Sequence, residues 1–450
     1  MAALTARGLR VGAAKVGPDF IDPGYHTLAT GRPARNLDAW MCGEDAVGAL
    51  AVKAAAGCDV LVVEGVMGLF DGAGERDLVS AHAGAGAFAS TAHVARLLRA
   101  PVVLVVDAGA MSGSVAALVH GFATFDPAVA LAGVVLNRVG GDAHEAMLRE
   151  ALAPLGVPVM GVLRRDDALT WRDRHLGLVP VVEDTAAVMT ALARLAAVVA
   201  RDCDLEAIEA LSRSARALAC RPLPGPDRIE GPSVPIAVAG GQAFSFMYID
   251  NLEALEAAGA QLVPVDPLHD RALPVGVRGL VVGGGFPEVH VERLAANASL
   301  LADVRRRISA GLVTWAECGG LLWLSRSLDG RPMAGALACT ATMTERLTLG
   351  YRRATITAAS PLGPPGTALR GHEFHYSSVD PPGGALSLSG RGPLAPAGFA
   401  TPTLVASYLH VHAATSPAVV SSFVRAAASH GRPDLPRRSD LRTANVEGDQ

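Results

Sequence analysis

The chain has 450 residues, half of them hydrophobic and 18% charged, with a formal net charge of −4 at pH 7. That length allows two or three domains, the apolar content excludes a mainly disordered chain, and the charge gives no reason to expect nucleic acid or an anionic membrane as partner. The apolar runs are broken by Gly, Pro or charge before they reach the roughly 20 residues of a membrane span, and the N-terminal MAALTARGLRVGAAK lacks a secretory apolar stretch, so a cytoplasmic protein is expected.

KVGPDFIDPGYH (15–26) reads as a loop dense in functional residue types. Gly17, Pro18 and Pro23 fix turns, and Asp19 and Asp22 point carboxylates from a strand end. NLDAW (36–40) adds Asp38. The runs LVVEG (61–65), VVLVVD (102–107), AGVVLN (132–137) and PVMGVL (158–163) read as buried parallel strands separated by crossover helices. This is the pattern of a doubly wound α/β domain, whose ligands sit at the carboxyl ends of the strands. Glu64 ends the first of these runs, ahead of a Gly-rich loop. Carboxylates on one rim suit a Mg²⁺–nucleotide site, although either segment alone is also consistent with a turn bearing solvated acids.

A helix from Thr185 to about Ala200 closes this domain, and Arg201 to Ala219 has room for another. PLPGPDRIEGPSVP (222–235), with five prolines and two glycines, is the clearest linker. The expected division is 1–200, a helix and linker over 201–234, a second α/β domain over 235–432 and a flexible tail over 433–450. In the second domain PIAVAG (235–240), QLVPVD (261–266), GLVVGG (279–284) and LVTWAE (312–317) are candidate strands, and Met343 to Ser389 reads as added antiparallel strands.

The six cysteines form no CxxC pair, and five of them read as small apolar residues. Cys318 differs. In WAECGGLLWL (315–324) a buried strand runs into Cys318, then Gly319 and Gly320, then an apolar helix. Two glycines permit a tight turn that lifts the thiol out of the sheet, and the helix N-terminus activates it and offers N–H groups to an oxyanion. A buried Cys before a Gly turn would share this local pattern. VVGGGFPEVH (281–290) supplies Gly284 and Gly285, suited to close backbone approach and N–H donation, and SYLHVH (407–412) supplies a late histidine as base.

GGGFPE, AECGG and YLH, in that order, resemble a class I glutamine amidotransferase domain of the cobyric-acid-synthase type. The resemblance implies that Cys318 is the nucleophile and His410 its base. Many such enzymes carry Glu two residues after the His; here that residue is His412. Either a dyad operates or an acid arrives from elsewhere, with Glu373 one candidate. His372, His375, His410 and His412 invite a metal reading, but buried hydrogen-bonded histidines explain His372, His375 and His412 adequately.

KxGPDFIDPxxH, NLDxW, VEGVMGLFDG (63–72), LNRVG (136–140), RHLGLVP (174–180), AFSFMYIDNLEALEAAGAQLVPVDPL (243–268) and RGHEFHYS (370–377) resemble the a,c-diamide synthases acting on cobyrinic or hydrogenobyrinic acid, over about residues 8–430. The resemblance implies a P-loop-type, dethiobiotin-synthetase-like domain followed by a glutamine amidotransferase domain. By the same resemblance Asp22 and Glu64 hold Mg²⁺, Asp19 and Asp38 serve nucleotide or substrate, and Lys15 lies near the phosphates of ATP. ATP activates a carboxylate of a corrinoid polycarboxylate, and ammonia from L-glutamine displaces phosphate, through a tunnel or shielded interface. A nickel sirohydrochlorin-type substrate and a glutaminase-only remnant remain alternatives. The oligomeric state is not settled by the sequence, and a homodimer is one assembly it allows.

No GxxxxGK[ST] occurs, whereas family members begin with a strand, a P-loop and a helix. MAALTARGLRV resembles the last turns of that helix. A longer cellular protein and a true fragment both account for this, and the intact later motifs favour the first. Without its middle strand a parallel sheet would leave neighbouring edges unpaired or force them together.

Overall fold

The computed structural model describes residues 1–73, 87–166, 173–174, 177–390 and 394–430. The tail over 433–450 and part of RHLGLVP lie outside the described residues. The architecture is the expected one: two α/β units built on parallel sheets.

In the first unit, Val11–Val16 pairs in parallel with Arg35–Leu37 on one side and Val60–Glu64 on the other. The register sets Lys15 level with Asn36 and with Glu64, so three polar residues share the carboxyl rim of an otherwise apolar sheet. A second parallel set, Val102–Asp107, Leu131–Val139 and Val159–Arg164, forms a separate three-stranded sheet. Among the described residues no strand joins the two sets, leaving one edge of Val60–Glu64 and one of Val102–Asp107 unpaired. Val105 is 62% exposed, an unusual state for the middle of a Val-rich strand.

The segment read as a loop over 15–26 divides differently. Val16 ends a strand, and Asp22–Thr30 is a helix with Asp22 and Pro23 in its first turn. Proline is tolerated there because that N–H has no helical acceptor, and Asp22 complements the helix dipole. The helix Thr185–Asp202 is capped by Asp184, whose carboxylate accepts from Ala187 N at 3.0 Å. Only Leu205–Ser212 of the following stretch is helical.

The second unit carries the parallel strands Ala260–Val265, Val234–Ala239, Gly279–Val282, Val313–Glu317 and Leu404–Ser407 in that spatial order, with Phe399–Thr401 antiparallel at the edge. Alternation does the packing. Leu280 and Val282 enter one core with Trp323 and Leu300, while Val281 enters the other with Trp315 and Phe423. Each such side chain fully buried contributes about 1.5–3 kcal/mol. The predicted antiparallel addition is a long hairpin of Thr340–Ile356 with Ala368–Asp380. His410–Val411 leaves the parallel sheet and joins this hairpin, His410 lying opposite His372. Of the cysteines, Cys42, Cys318 and Cys339 are buried, while Cys58, Cys203 and Cys220 are half-buried; all six are free thiols. No helix among the described residues is long and apolar enough to cross a membrane.

Candidate active site

Cys318 directly follows the strand Val313–Glu317 and precedes the helix Gly319–Leu324. Its backbone sits at φ 47°, ψ −101°, a strained conformation for a non-glycine residue and the one expected of a nucleophile lifted out of a sheet. Two hydrogen bonds fix the turn: Cys318 N donates to Ser407 O at 2.8 Å, and Gly320 N donates to Gly283 O at 3.0 Å.

The glycines divide their work. A Cβ on Gly319 would lie 3.1 Å from Gly285 N, so the two backbones are in near contact beside the thiol. Gly284 differs from expectation. Its N–H donates to Phe246 O at 3.1 Å and is therefore not an oxyanion donor. Its lack of a side chain matters instead, since a Cβ there would lie 2.5 Å from His410 Cε1.

His410 is 1% exposed and hydrogen-bonds the Cys318 thiol. Burial alone would lower its pKa, but the charges of Cys318 and Glu317 outweigh burial and raise it to about 9. The carboxylate beside it is that of Glu317, the residue before Cys318. Glu317 is 3% exposed, its Oε2 lies 3.5 Å from His410 Nδ1, and its Oε1 accepts from Val411 N at 3.2 Å. At 3.5 Å the contact is an ion pair rather than a short hydrogen bond.

Glu373 does not fill this place, being paired with Arg352 at 2.7 Å. His412 faces away, its Nε2 3.8 Å from Asp250. His372 stacks on His410 with ring centroids 4.9 Å apart and hydrogen-bonds Tyr248 Oη at 3.0 Å; burial, then the neighbouring His410, pushes its pKa well down. His375 stacks on Tyr408 and hydrogen-bonds Ser377 O, and burial lowers it to about 4. Among the described residues no group of three or more His, Cys, Asp or Glu could hold a metal ion.

The second cluster lies at the strand ends of the first unit. Lys15 Nζ sits 2.7 Å from Asp22 and 3.3 Å from Glu64, and donates to Gly65 O at 2.9 Å. Burial works against the Lys15 charge, yet Glu64, Asp22 and Asp19 together raise its pKa. His26, which the sequence reading passed over, pairs with Glu64 from the helix Asp22–Thr30. Asp19 is adjacent but turned back on its own loop, Oδ1 accepting from Ile21 N at 2.7 Å and Asp22 N at 3.0 Å. Burial and the Asp22 charge raise its pKa.

Asp38 takes a different place from the one expected. It is 1% exposed, its Oδ1 caps the helix Ala39–Cys42 through Trp40 N and Met41 N, and its Oδ2 accepts from Tyr351 Oη of the second unit at 2.9 Å. Burial raises its pKa to about 6. Both oxygens are thus committed to a cap and an interdomain bridge, not to the strand-end cluster.

One cavity of about 530 Å³ is bordered by Cys318 and His410 of the second unit and by Pro18, Asp19, Phe20 and Ile21, the loop that leads into the charge cluster of the first. Elsewhere the two units are held together by ionic contacts. Arg35 bonds Asp250 at 2.5 Å and Glu253 at 2.8 Å, and Lys53 reaches Asp250 at 3.1 Å.

Comparison with known proteins matches each unit to a family. Residues 1–179 match the CobQ/CobB/MinD/ParA nucleotide binding domain, and residues 235–418 match the CobB/CobQ-like glutamine amidotransferase domain. The hydrogenobyrinate a,c-diamide synthase of Streptomyces coelicolor is 50% identical over 458 aligned positions, covering 94% of this chain and 92% of that protein. The chain belongs to the hydrogenobyrinate/cobyrinate a,c-diamide synthase family. Two more members of the family are similar over most of their length. The hydrogenobyrinate a,c-diamide synthase of Thermobifida fusca is 44% identical over 96% of this chain and 93% of its own. The cobyrinate a,c-diamide synthase of a Synechococcus species is 42% identical over 95% and 93%.

Proposed function

We propose that this family member is a glutamine- and ATP-dependent ligase that amidates the a and c carboxylates of hydrogenobyrinate or cobyrinate, acting in the cytoplasm. The observation that carries the reading is the single cavity bordered by both the Cys318–His410 pair and the loop of the strand-end charge cluster.

The Cys318 thiolate attacks the side-chain carbonyl of glutamine. The N–H groups of Gly285 and Gly319 receive the developing oxyanion, and protonated His410 gives its proton to the leaving ammonia. Water then attacks the thioester, releasing glutamate and restoring the thiolate. In the other unit a substrate carboxylate attacks the γ-phosphorus of ATP; the new O–P bond forms as the bond to the β-phosphate oxygen breaks, leaving an acyl phosphate and ADP. Ammonia crossing the shared cavity attacks that carbonyl; the C–N bond forms, the C–O bond to phosphate breaks, and phosphate leaves. Asp22 and Glu64 fit Mg²⁺, since their side chains are 23% and 47% exposed on one rim and Mg²⁺ takes one or two carboxylates with phosphate and water completing its shell. That ion would neutralise phosphate charge, while Lys15, now held between the two carboxylates, would turn toward the phosphates.

The test compares nitrogen sources. Cys318→Ala is expected to lose amidation from glutamine by a factor of about 10³ or more while keeping amidation from ammonium, read by mass spectrometry of the tetrapyrrole. Hydrogenobyrinate, cobyrinate and nickel sirohydrochlorin are offered in parallel. A wild-type protein that amidates none of them from either source refutes the proposal, and amidation of the nickel tetrapyrrole alone reassigns the substrate.

A further inference from the structure

Phe20 belongs to the synthetase unit, yet its ring lies among the aromatic groups of the glutaminase site. Its centroid is 4.9 Å from that of His410, 5.6 Å from His372, 4.4 Å from Tyr248 and 5.4 Å from Phe246, the last stacked within 7° of parallel. The reacting base of one centre is therefore covered on one side by a residue from the other. Phe20 also lines the cavity that Cys318 opens into.

The backbone carrying Phe20 is tied firmly to the charge cluster. Asp19 accepts from the N–H groups of Ile21 and Asp22, and Asp22 pairs with Lys15 at 2.7 Å. Asn36 Nδ2 donates to Gly17 O at 2.8 Å and to Asp19 O at 2.7 Å, and Gly17 N donates to Leu37 O at 3.1 Å. Phe20 thus stands between two anchored residues, with Asp22 only two positions away. A ligand that draws Lys15 away from Asp22 and Glu64 loosens the anchor on the helix side of that short loop. Packed aromatic contacts hold discrete positions rather than deforming smoothly, so a small shift of Asp22 is passed to the ring.

We infer that Phe20 is the coupling residue between the two reactions: a stopper on the His410 side of the shared cavity whose position reports whether the Lys15–Asp22–Glu64 cluster is engaged. With the cluster unengaged, the ring covers the imidazole and closes the way out of the glutaminase site toward the synthetase unit. With it engaged, the ring withdraws and ammonia passes. This rests on the proposed ligase reading and adds which residue links its halves. Phe20 touches the base but takes no part in bond making, so it is a positioning residue.

The test measures glutamate formed per amide formed in the wild type, Phe20→Ala and Phe20→Leu, with ammonium-driven amidation measured beside it. The wild type is expected near one glutamate per amide, Phe20→Ala at about threefold or more, and Phe20→Leu between them, because bulk rather than aromaticity blocks the path. Ammonium-driven amidation by Phe20→Ala is expected within about threefold of wild type, which separates leakage from misfolding. A ratio near one in Phe20→Ala with that rate retained overturns this inference alone. Loss of ammonium-driven amidation in Phe20→Ala but not in Phe20→Leu assigns the ring a purely structural role and also overturns it. Absence of amidation by the wild type from either nitrogen source overturns the ligase reading itself.

Discussion

Glu317 stands one residue before Cys318, and that adjacency places its carboxylate beside His410, where it is proposed as the third member of the thiol site. The strand Val313–Glu317 ends where His410 crosses between sheets, so an acid from one strand meets a base from another. Glu317→Gln is expected to lower glutaminase kcat/KM on the order of 10²-fold, whereas Glu373→Gln leaves it within about threefold. The pH profile gives a second readout. His410 must be protonated to release ammonia, and its pKa of about 9 places the alkaline loss of wild-type activity there. Removing the Glu317 charge removes one cause of that elevation, so the alkaline limb moves to lower pH in Glu317→Gln; an unmoved limb contradicts the assignment. The placement of Cys318 at a strained turn was legible because a strand–Cys–Gly–Gly–helix sequence is local grammar. Glu317 and His26 were not, because their roles depend on which strand end and helix face meet them, and Phe20 reads as an ordinary apolar residue until the two units are docked.

At the scale of elements, the Val- and Leu-rich runs announced most parallel strands within a residue or two, since buried strands need apolar side chains on both faces. The segment over 15–26 misled because its Gly and Pro residues mark turns in isolation, whereas here Pro23 opens a helix. Among the described residues, one edge of Val60–Glu64 and one of Val102–Asp107 have no strand partner. Parallel edges with apolar side chains are unfavourable when left exposed.

Across the whole molecule, the two units share a wall of unusually mixed character. Arg35, Lys53, Asp250 and Glu253 form an ion cluster, Asp38 bonds Tyr351, and Trp40 stacks on Tyr351 at 4.6 Å. Breaking a buried ion pair from one side costs about 3–5 kcal/mol, so this wall sets the relative position of the reaction centres firmly. Such a wall serves a reaction whose intermediate is a small neutral amine that water would protonate and dilute. The central claim is direct transfer, and isotope competition tests it best. With amide-¹⁵N-glutamine, excess unlabelled ammonium and ATP, the tetrapyrrole amides formed by the ligating protein are expected to carry mainly ¹⁵N. Amides whose label matches the bulk ammonium pool would contradict the account.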